Sequence, residues 1–379
     1  MAEPHPPDIG QARLSVPCAS EPQADTLAPR VSSEEGILRI GVAGLGGMGT
    51  LHAHNVVAAP GAELVAVGST RSGRAREVAA ELGVDARRYE ELYADESLDA
   101  IIVAARSIDH AAVGQAVLRS GKHLFLEKPG STSLADHDAL SEAAAAQPEG
   151  IVQVGYHRRY DAAFVETKRL VASGAVGEPL LVLLTSRDVR TPEPEDPGPA
   201  GGFLVDMAAH DYDAACWLLG QEPVDVHAVR QAKVYPELLE LGDLDNAVVT
   251  IRFDGGGLAT THVSRTCAFG HDIRAEVVGS DGSILVGNAA SRDGVVVLTA
   301  DDGSAFPLDY RERFADAYRD ELAAFVAACS GAGAVGPGLA EDRRAVAIGV
   351  AARASAVGGA PLEVGRDWGW PGQDPASSS

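Results

Sequence analysis

The chain has 379 residues, 46% of them hydrophobic, enough for two cores of ordinary domain size. Its formal net charge of −23 argues against nucleic acid, whose phosphates need a basic surface, and no apolar run reaches the ~18 residues expected of a membrane span. Four scattered cysteines (Cys18, Cys216, Cys267, Cys329) form no Cys-x-x-Cys pair, which argues against a disulfide framework or a zinc site and fits a reducing cytoplasm.

Residues 1–36 carry Pro4, Pro6, Pro7, Pro17, Pro22 and Pro29 without hydrophobic periodicity and are expected to be a disordered extension. They have neither the basic start nor the apolar stretch of a secretory signal. A native start at Val31, read from a GTG codon, is an alternative expectation.

The apolar run Leu38–Ala43 predicts a strand that leads into Gly44-Leu45-Gly46-Gly47-Met48-Gly49. Gly44 allows a tight strand-to-helix turn, Gly46 lets the backbone approach a pyrophosphate, and Gly49 lets the helix pack on the strand. The helix N-terminus then turns its free N–H groups toward the phosphates. Gly47 and Met48 belong to the same turn. Further strands are predicted at 63–68, 99–104, 123–126 and 151–155, with helices at 48–58, 72–82, 109–119 and 134–146. Continuous apolar strands alternating with helices predict an α/β unit over 37–155, a Rossmann-type doubly wound parallel sheet.

The second strand ends in Ser69-Thr70-Arg71, where NAD-binding chains of this type carry an acid for the ribose. Without a carboxylate to repel a 2′-phosphate, and with Arg71 near, the cofactor expectation is NAD(P), leaning to NADP. Ala105, Arg106 and His110 follow the third strand and, with Glu127 and Lys128, complete the candidate cofactor contacts.

Lys128 sits in Glu127-Lys128-Pro129, after the apolar His123–Leu126. It is one of four lysines (with Lys122, Lys168 and Lys233) among 31 basic residues, so surface filler is a poor explanation for it. An ammonium beside an oxidised nicotinamide is suited to proton exchange near neutral pH, and a cis bond at Pro129 would aim it.

The second half changes grammar. A helix at 161–173, a strand at 180–187, a Pro-rich loop at 191–199 and a helix at 204–219 precede strands joined by Asp254-Gly255, Asp281-Gly282 and Asp302-Gly303, dipeptides that favour hairpins. Helices at 312–329 and 340–356 close the chain. The expectation is an α+β domain over 156–365 with a large mixed, mostly antiparallel sheet, then a flexible tail over 366–379. A sheet face free of helices predicts a homodimer or homotetramer.

Asp206, His210, Asp213 and Trp217 recur at steps of four, three and four, which puts them on one helical face. His210 has the intrinsic pKa of a general base, and Asp206 can bind a hydroxyl or orient His210; a capping Asp206 and a core His210 are the bland alternative. Gln153–Asp161 lies at the junction of the halves, where clefts bind small molecules. It offers Tyr156, His157 and Arg158 as substrate contacts, although Arg158 and Arg159 could equally form interdomain salt bridges. His52 and His54 are expected as packing residues. Without a His-Glu-x-x-His or Cys/His cluster, no metal is expected.

These motifs together resemble the Gfo/Idh/MocA oxidoreductase family and, within it, the inositol 2-dehydrogenases, over about 38–365. Further matching segments are Gly242-Asp243-Leu244-Asp245, Ser264-Arg265, Gly270-x-Asp272 and Arg313–Tyr318. The resemblance implies NAD(P)-dependent, reversible oxidation of a secondary hydroxyl on a cyclic polyol or sugar. It implies Lys128 for substrate positioning and proton relay, His210 as general base and Asp206 as hydroxyl binder; Arg187 and His271 are further candidate substrate contacts. Three departures from the inositol enzymes point to a different ring, such as an aminocyclitol or a secondary-metabolite sugar. They are Ala105-Arg106-Ser107 for a Thr-Pro-Asn, His271 for an aromatic residue, and His157 for an apolar one. A biosynthetic reductase is one alternative and a non-catalytic cofactor-binding regulator another; the presence of Lys128, Asp206 and His210 disfavours the regulator.

Overall fold

The computed structural model describes residues 36–190, 201–287 and 309–366. The N-terminal extension through residue 35, the Pro-rich stretch, the Asp302-Gly303 turn and the last residues of the tail lie outside them.

The first half runs β1 (Leu38–Ala43), α1 (Gly47–Ala58), β2 (Ala62–Gly68), α2 (Ser72–Leu82), β3 (Asp85–Arg87), α3 (Tyr89–Ala94), β4 (Ala100–Val103), α4 (His110–Arg119), β5 (His123–Leu126), α5 (Leu134–Ala145) and β6 (Val152–Val154). The strands form one parallel sheet in the order β3-β2-β1-β4-β5-β6. β4 and β5 are buried along their whole length, because helices cover both faces. The order reverses between β1 and its neighbours β2 and β4, which opens the crevice where such sheets bind ligands. β3 and α3 were not anticipated: Asp85-Ala86-Arg87 is a short polar edge strand with no apolar pattern to reveal it.

The second half continues with α6 (Ala162–Ala172), β7 (Pro179–Val189), α7 (Phe203–Asp206), α8 (Ala209–Leu219), β8 (Pro223–Gln231), β9 (Asn246–Phe253), β10 (Leu258–Cys267), β11 (Asp272–Gly279), β12 (Ser283–Val286), α9 (Tyr310–Arg313), α10 (Ala315–Cys329), α11 (Leu339–Gly358) and β13 (Leu362–Glu363). Among the described residues its seven strands are ordered β12-β11-β7-β10-β9-β8-β13, antiparallel except for β7 beside β10. The Asp254-Gly255 and Asp281-Gly282 hairpins form as expected. The helix predicted at 204–219 is interrupted at Met207-Ala208, giving α7 and α8. Among the described residues, no helix is long and apolar enough to cross a membrane.

β9 shows the layering: Ala247, Val249, Ile251 and Phe253 are buried, while alternate residues point outward. The inward set packs with Tyr212 and Ala215 of α8 and Ile348 and Ala352 of α11 in one core. The outward face leaves Leu183, Val229 and Val248 exposed.

Candidate active site

The glycine turn is built for close approach on one side only. A Cβ at Gly49 would stand 1.8 Å from the Gly44 carbonyl oxygen, and one at Gly44, whose φ is +101°, would stand 2.2 Å from the Ala104 oxygen. At Gly46, in contrast, a Cβ would meet nothing within 4 Å. The N-terminus of α1 has no side-chain cap and no acid in its first turn, so its N–H groups stay available to an anion. These features fit the pyrophosphate of a dinucleotide.

Beside the turn, a cleft of about 290 Å³ is lined by Gly46, Gly47, Thr50, Arg74 and Arg311. Arg74 donates to the Leu45 carbonyl (3.3 Å) and to Thr50 Oγ1 (3.1 Å), tying α2 to the turn. Ser69 Oγ accepts from the Arg71 N–H at 3.1 Å, and Arg71 is exposed. Sequence reasoning missed Arg74 and Arg311, because their nearness to the glycines is tertiary.

The main cavity, about 600 Å³, opens where β4 and β5 end. Met48, Ala105, Ser107, His110, Glu127, Lys128, His157, Arg158, Asp206, His210 and His271 all line it, so residues from both halves converge there as the motifs implied. Lys128 follows β5, and its bond to Pro129 is cis. Lys128 Nζ donates to the Asp206 carbonyl oxygen (2.9 Å) and Oδ1 (3.2 Å), and Ser107 Oγ donates to the same Oδ1 (3.3 Å). Asp206 ends α7, and the interruption that follows lets its carbonyl face the lysine.

His210, one turn later on α8, does not bond Asp206. Its ring packs edge-on against His157 (centroids 4.3 Å apart) and Tyr156 (5.9 Å). Burial pushes the His210 pKa well below the usual histidine range, and His157, Lys128 and Arg158 push it the same way. His157 is lowered as well, by burial first and then by Arg158, Lys128, Arg313 and His52. Both rings are therefore neutral near pH 7, and a neutral imidazole can accept a proton. Phe314 and Tyr318 pack on His157 and wall the cavity.

Beneath Lys128, Glu127 Oε1 lies 2.7 Å from His52 Nε2, and both side chains are buried. His52 is thus more than the packing residue expected; the two are 75 positions apart and no local pattern joins them. His110 bridges two loops, with Nδ1 2.8 Å from the Pro129 carbonyl and Nε2 3.1 Å from that of Ala105. At the other end of the cavity, His271 Nδ1 lies 3.2 Å from Asp188 Oδ1.

Four expectations are corrected. Arg187 lies on the outward face of β7, donating to Asp272 (3.0 Å) and His262 (3.2 Å); strand alternation gives the cavity wall to Asp188 instead. Arg106 is exposed, pairs with Asp109 at 2.7 Å and is not part of the cavity lining. Tyr156 is fully buried behind His210, and its hydroxyl donates to Asp342 Oδ1 at 2.7 Å. Asp213 and Trp217 leave the catalytic face: Asp213 takes a bidentate bond from Arg159 (2.9 and 2.6 Å), whose guanidinium lies over Trp217. Arg158 reaches the cavity but is neutralised by buried Asp211, which also accepts from Ser186 and Thr261.

Residues 38–156 match the family model described as oxidoreductase family, NAD-binding Rossmann fold, and residues 164–285 match that of the GFO/IDH/MocA C-terminal domain. The chain is 37% identical over 295 residues to myo-inositol 2-dehydrogenase of Thermotoga maritima, covering 76% of this chain and 87% of that one. It is 38% identical over 294 residues to the scyllo-inositol 2-dehydrogenase (NAD(+)) of Bacillus subtilis, covering 76% and 85%. Among solved structures, a probable dehydrogenase from Thermotoga maritima superposes with a TM-score of 0.78 at 34% identity, covering 86% of this chain and 98% of that one. The scyllo-inositol dehydrogenase of Lactobacillus casei, with bound NAD(H) and scyllo-inositol, gives 0.78 at 25% identity, covering 87% and 100%. With both halves matched and the motif residues gathered around one cavity, the chain belongs to the Gfo/Idh/MocA oxidoreductase family.

Proposed function

We propose that this protein is an NAD(P)-dependent dehydrogenase that reversibly oxidises a secondary hydroxyl of a cyclic polyol or sugar to a ketone. The observation that carries the reading is the Lys128–Asp206 pair facing the same cavity as the neutral, open-edged His210. His210 takes the hydroxyl proton. Lys128 Nζ, held by Asp206, donates to the substrate oxygen and fixes the reacting carbon, and Asp206 accepts from a ring hydroxyl. Met207, Phe314 and Tyr318 keep water from the reacting centre. The turn Gly44–Gly49, Ala105, Glu127 and Lys128 would hold the dinucleotide, which when bound supplies the hydride acceptor.

The finer cofactor reading is NADP: Ser69, Thr70 and Arg71 present no carboxylate to a 2′-phosphate, and Arg74 adds a second guanidinium nearby. Ser69→Asp should then weaken NADP far more than NAD. The family reading supports an inositol-like ring. A second reading, an aminocyclitol, is favoured by Asp188, whose carboxylate lines the cavity beside His271 and suits an ammonium. Division into units at 37–155 and 156–365, a cytoplasmic location, and a homodimer or homotetramer complete the proposal; the exposed Leu183, Val229 and Val248 on the open sheet face would be covered by a second copy.

The test is near-ultraviolet absorbance of the reduced nicotinamide, with NAD and NADP each crossed with myo-inositol, scyllo-inositol, glucose and aminocyclitols. Reduction with a cyclic polyol is expected, and a signal confined to amino-substituted rings would select the second reading. Cofactor binding with no turnover on any ring would overturn the proposal.

A further inference from the structure

Asp342 lies on α11, far in sequence from every motif described above, and its carboxylate is fully buried. Oδ2 accepts from the Gly130 backbone N–H (2.9 Å) and lies 2.9 Å from His137 Nε2 on α5. Oδ1 accepts from the Tyr156 hydroxyl (2.7 Å). Gly130 is two residues beyond Lys128, across Pro129. The Tyr156 ring in turn stands edge-on to His210. One carboxylate therefore touches the backbone that carries the lysine and the ring that backs the histidine, on opposite sides of the junction between the halves. The contact leaves no slack: a Cβ at Gly130 would stand 2.3 Å from Asp342 Oδ2.

We infer that Asp342 is a positioning residue that sets the distance between Lys128 and His210, acting through Gly130 and Tyr156. The inference rests on the catalytic roles proposed above for that lysine and histidine. A carboxylate suits the task because it accepts from three donors at once and two of them are fixed in direction, one by the backbone and one by a buried ring. Each partner lies on a different element, so the hub also carries any tilt of α11 to both sides of the site. The surface pair Arg343–Asp138 joins the same two helices, α11 and α5, but touches nothing in the cavity, and so provides a structural control.

The test compares kcat, cofactor Kd and folded state in five variants. Asp342→Ala should lower kcat by about ten- to a hundredfold, the scale of an ångström misplacement of reacting groups, while the cofactor Kd stays within about twofold. Asp342→Asn, which keeps an oxygen for Gly130 and an amide for the Tyr156 hydroxyl, should recover most of kcat. Tyr156→Phe keeps the ring and loses one hydrogen bond; it should lower kcat about fivefold, and it decides the matter if Asp342→Ala fails to fold. Arg343→Ala should leave kcat unchanged. A folded Asp342→Ala, or Tyr156→Phe, with parental kcat would overturn the inference, and so would an equal loss in Arg343→Ala. Lys128→Met separates the two levels: dead Lys128→Met with fully active hub variants refutes the hub alone, whereas active Lys128→Met removes the catalytic reading beneath it.

Discussion

His210→Gln is the most informative perturbation of the chemistry. The ring packs against His157 and Tyr156 at the cavity wall and faces three neighbours, His157, Lys128 and Arg158, that are charged or can become so. Both effects disfavour the imidazolium, so the base form is already present at neutral pH. General-base assistance contributes about a hundred- to ten-thousandfold in rate, or roughly 3–5 kcal/mol of barrier. Glutamine keeps a polar side chain of similar reach but cannot take the proton. The variant should lose kcat on that scale with little change in KM. The sign of the pH dependence follows from the lowered pKa. In the parent, kcat/KM for alcohol oxidation should fall along a His210-dependent acid limb only well below roughly pH 6.5, and stay flat with respect to this group above it. That limb should vanish in the variant. Initial rates across pH with saturating cofactor measure both effects. A His210→Gln enzyme within tenfold of parental kcat, or an acid limb centred above neutrality that the variant abolishes, would refute the assignment.

Further outcomes follow from the same geometry. Gly46→Ala should leave stability within about 0.5 kcal/mol while weakening cofactor binding in a titration, because its new Cβ meets no protein atom; Gly49→Ala drives its Cβ into the Gly44 carbonyl and should destabilise the fold itself in thermal melts. Glu321 is fully buried, and neither carboxyl oxygen has a hydrogen-bond partner among the described residues. Burial first, then Glu127 and Asp213, raises its pKa well above the usual carboxylate range. The folded state thus holds a proton that the unfolded state releases, and stability is lost as pH rises above the unfolded value. Glu321→Gln should gain about 1–3 kcal/mol at alkaline pH relative to acid, and equal melting shifts at both would contradict this. His157 and His210 act in the opposite direction, since their folded pKa values are lowered. Stability should fall as pH drops below roughly 6.5, by up to about 1.4 kcal/mol per pH unit for each ring; chemical denaturation across that range measures the slope.

Sequence periodicity revealed the first sheet almost strand for strand, because parallel strands buried on both faces are continuous apolar runs, as at Ala100–Val103. It missed β3, which is short and polar. The spacing of Asp206 and His210 on one helical face pointed to two residues that both line the cavity, but for an incomplete reason. The chain breaks at Met207-Ala208, so Asp206 meets Lys128 through its carbonyl as well as its carboxylate. Asp213, on the same nominal stripe, turns instead to Arg159. Arg187 was misplaced by one residue of strand parity, which suffices to exchange the cavity wall for the open face. His52, Arg74 and Asp342 were not legible at all, since each acts on a residue that only the tertiary fold brings near.

Direct transfer of hydrogen from the ring carbon is best tested with a cyclic polyol deuterated at the reacting position. The reading of this cavity predicts a slowed turnover and deuterium recovered in the reduced nicotinamide. Deuterium recovered in water, with none in the cofactor, would contradict it.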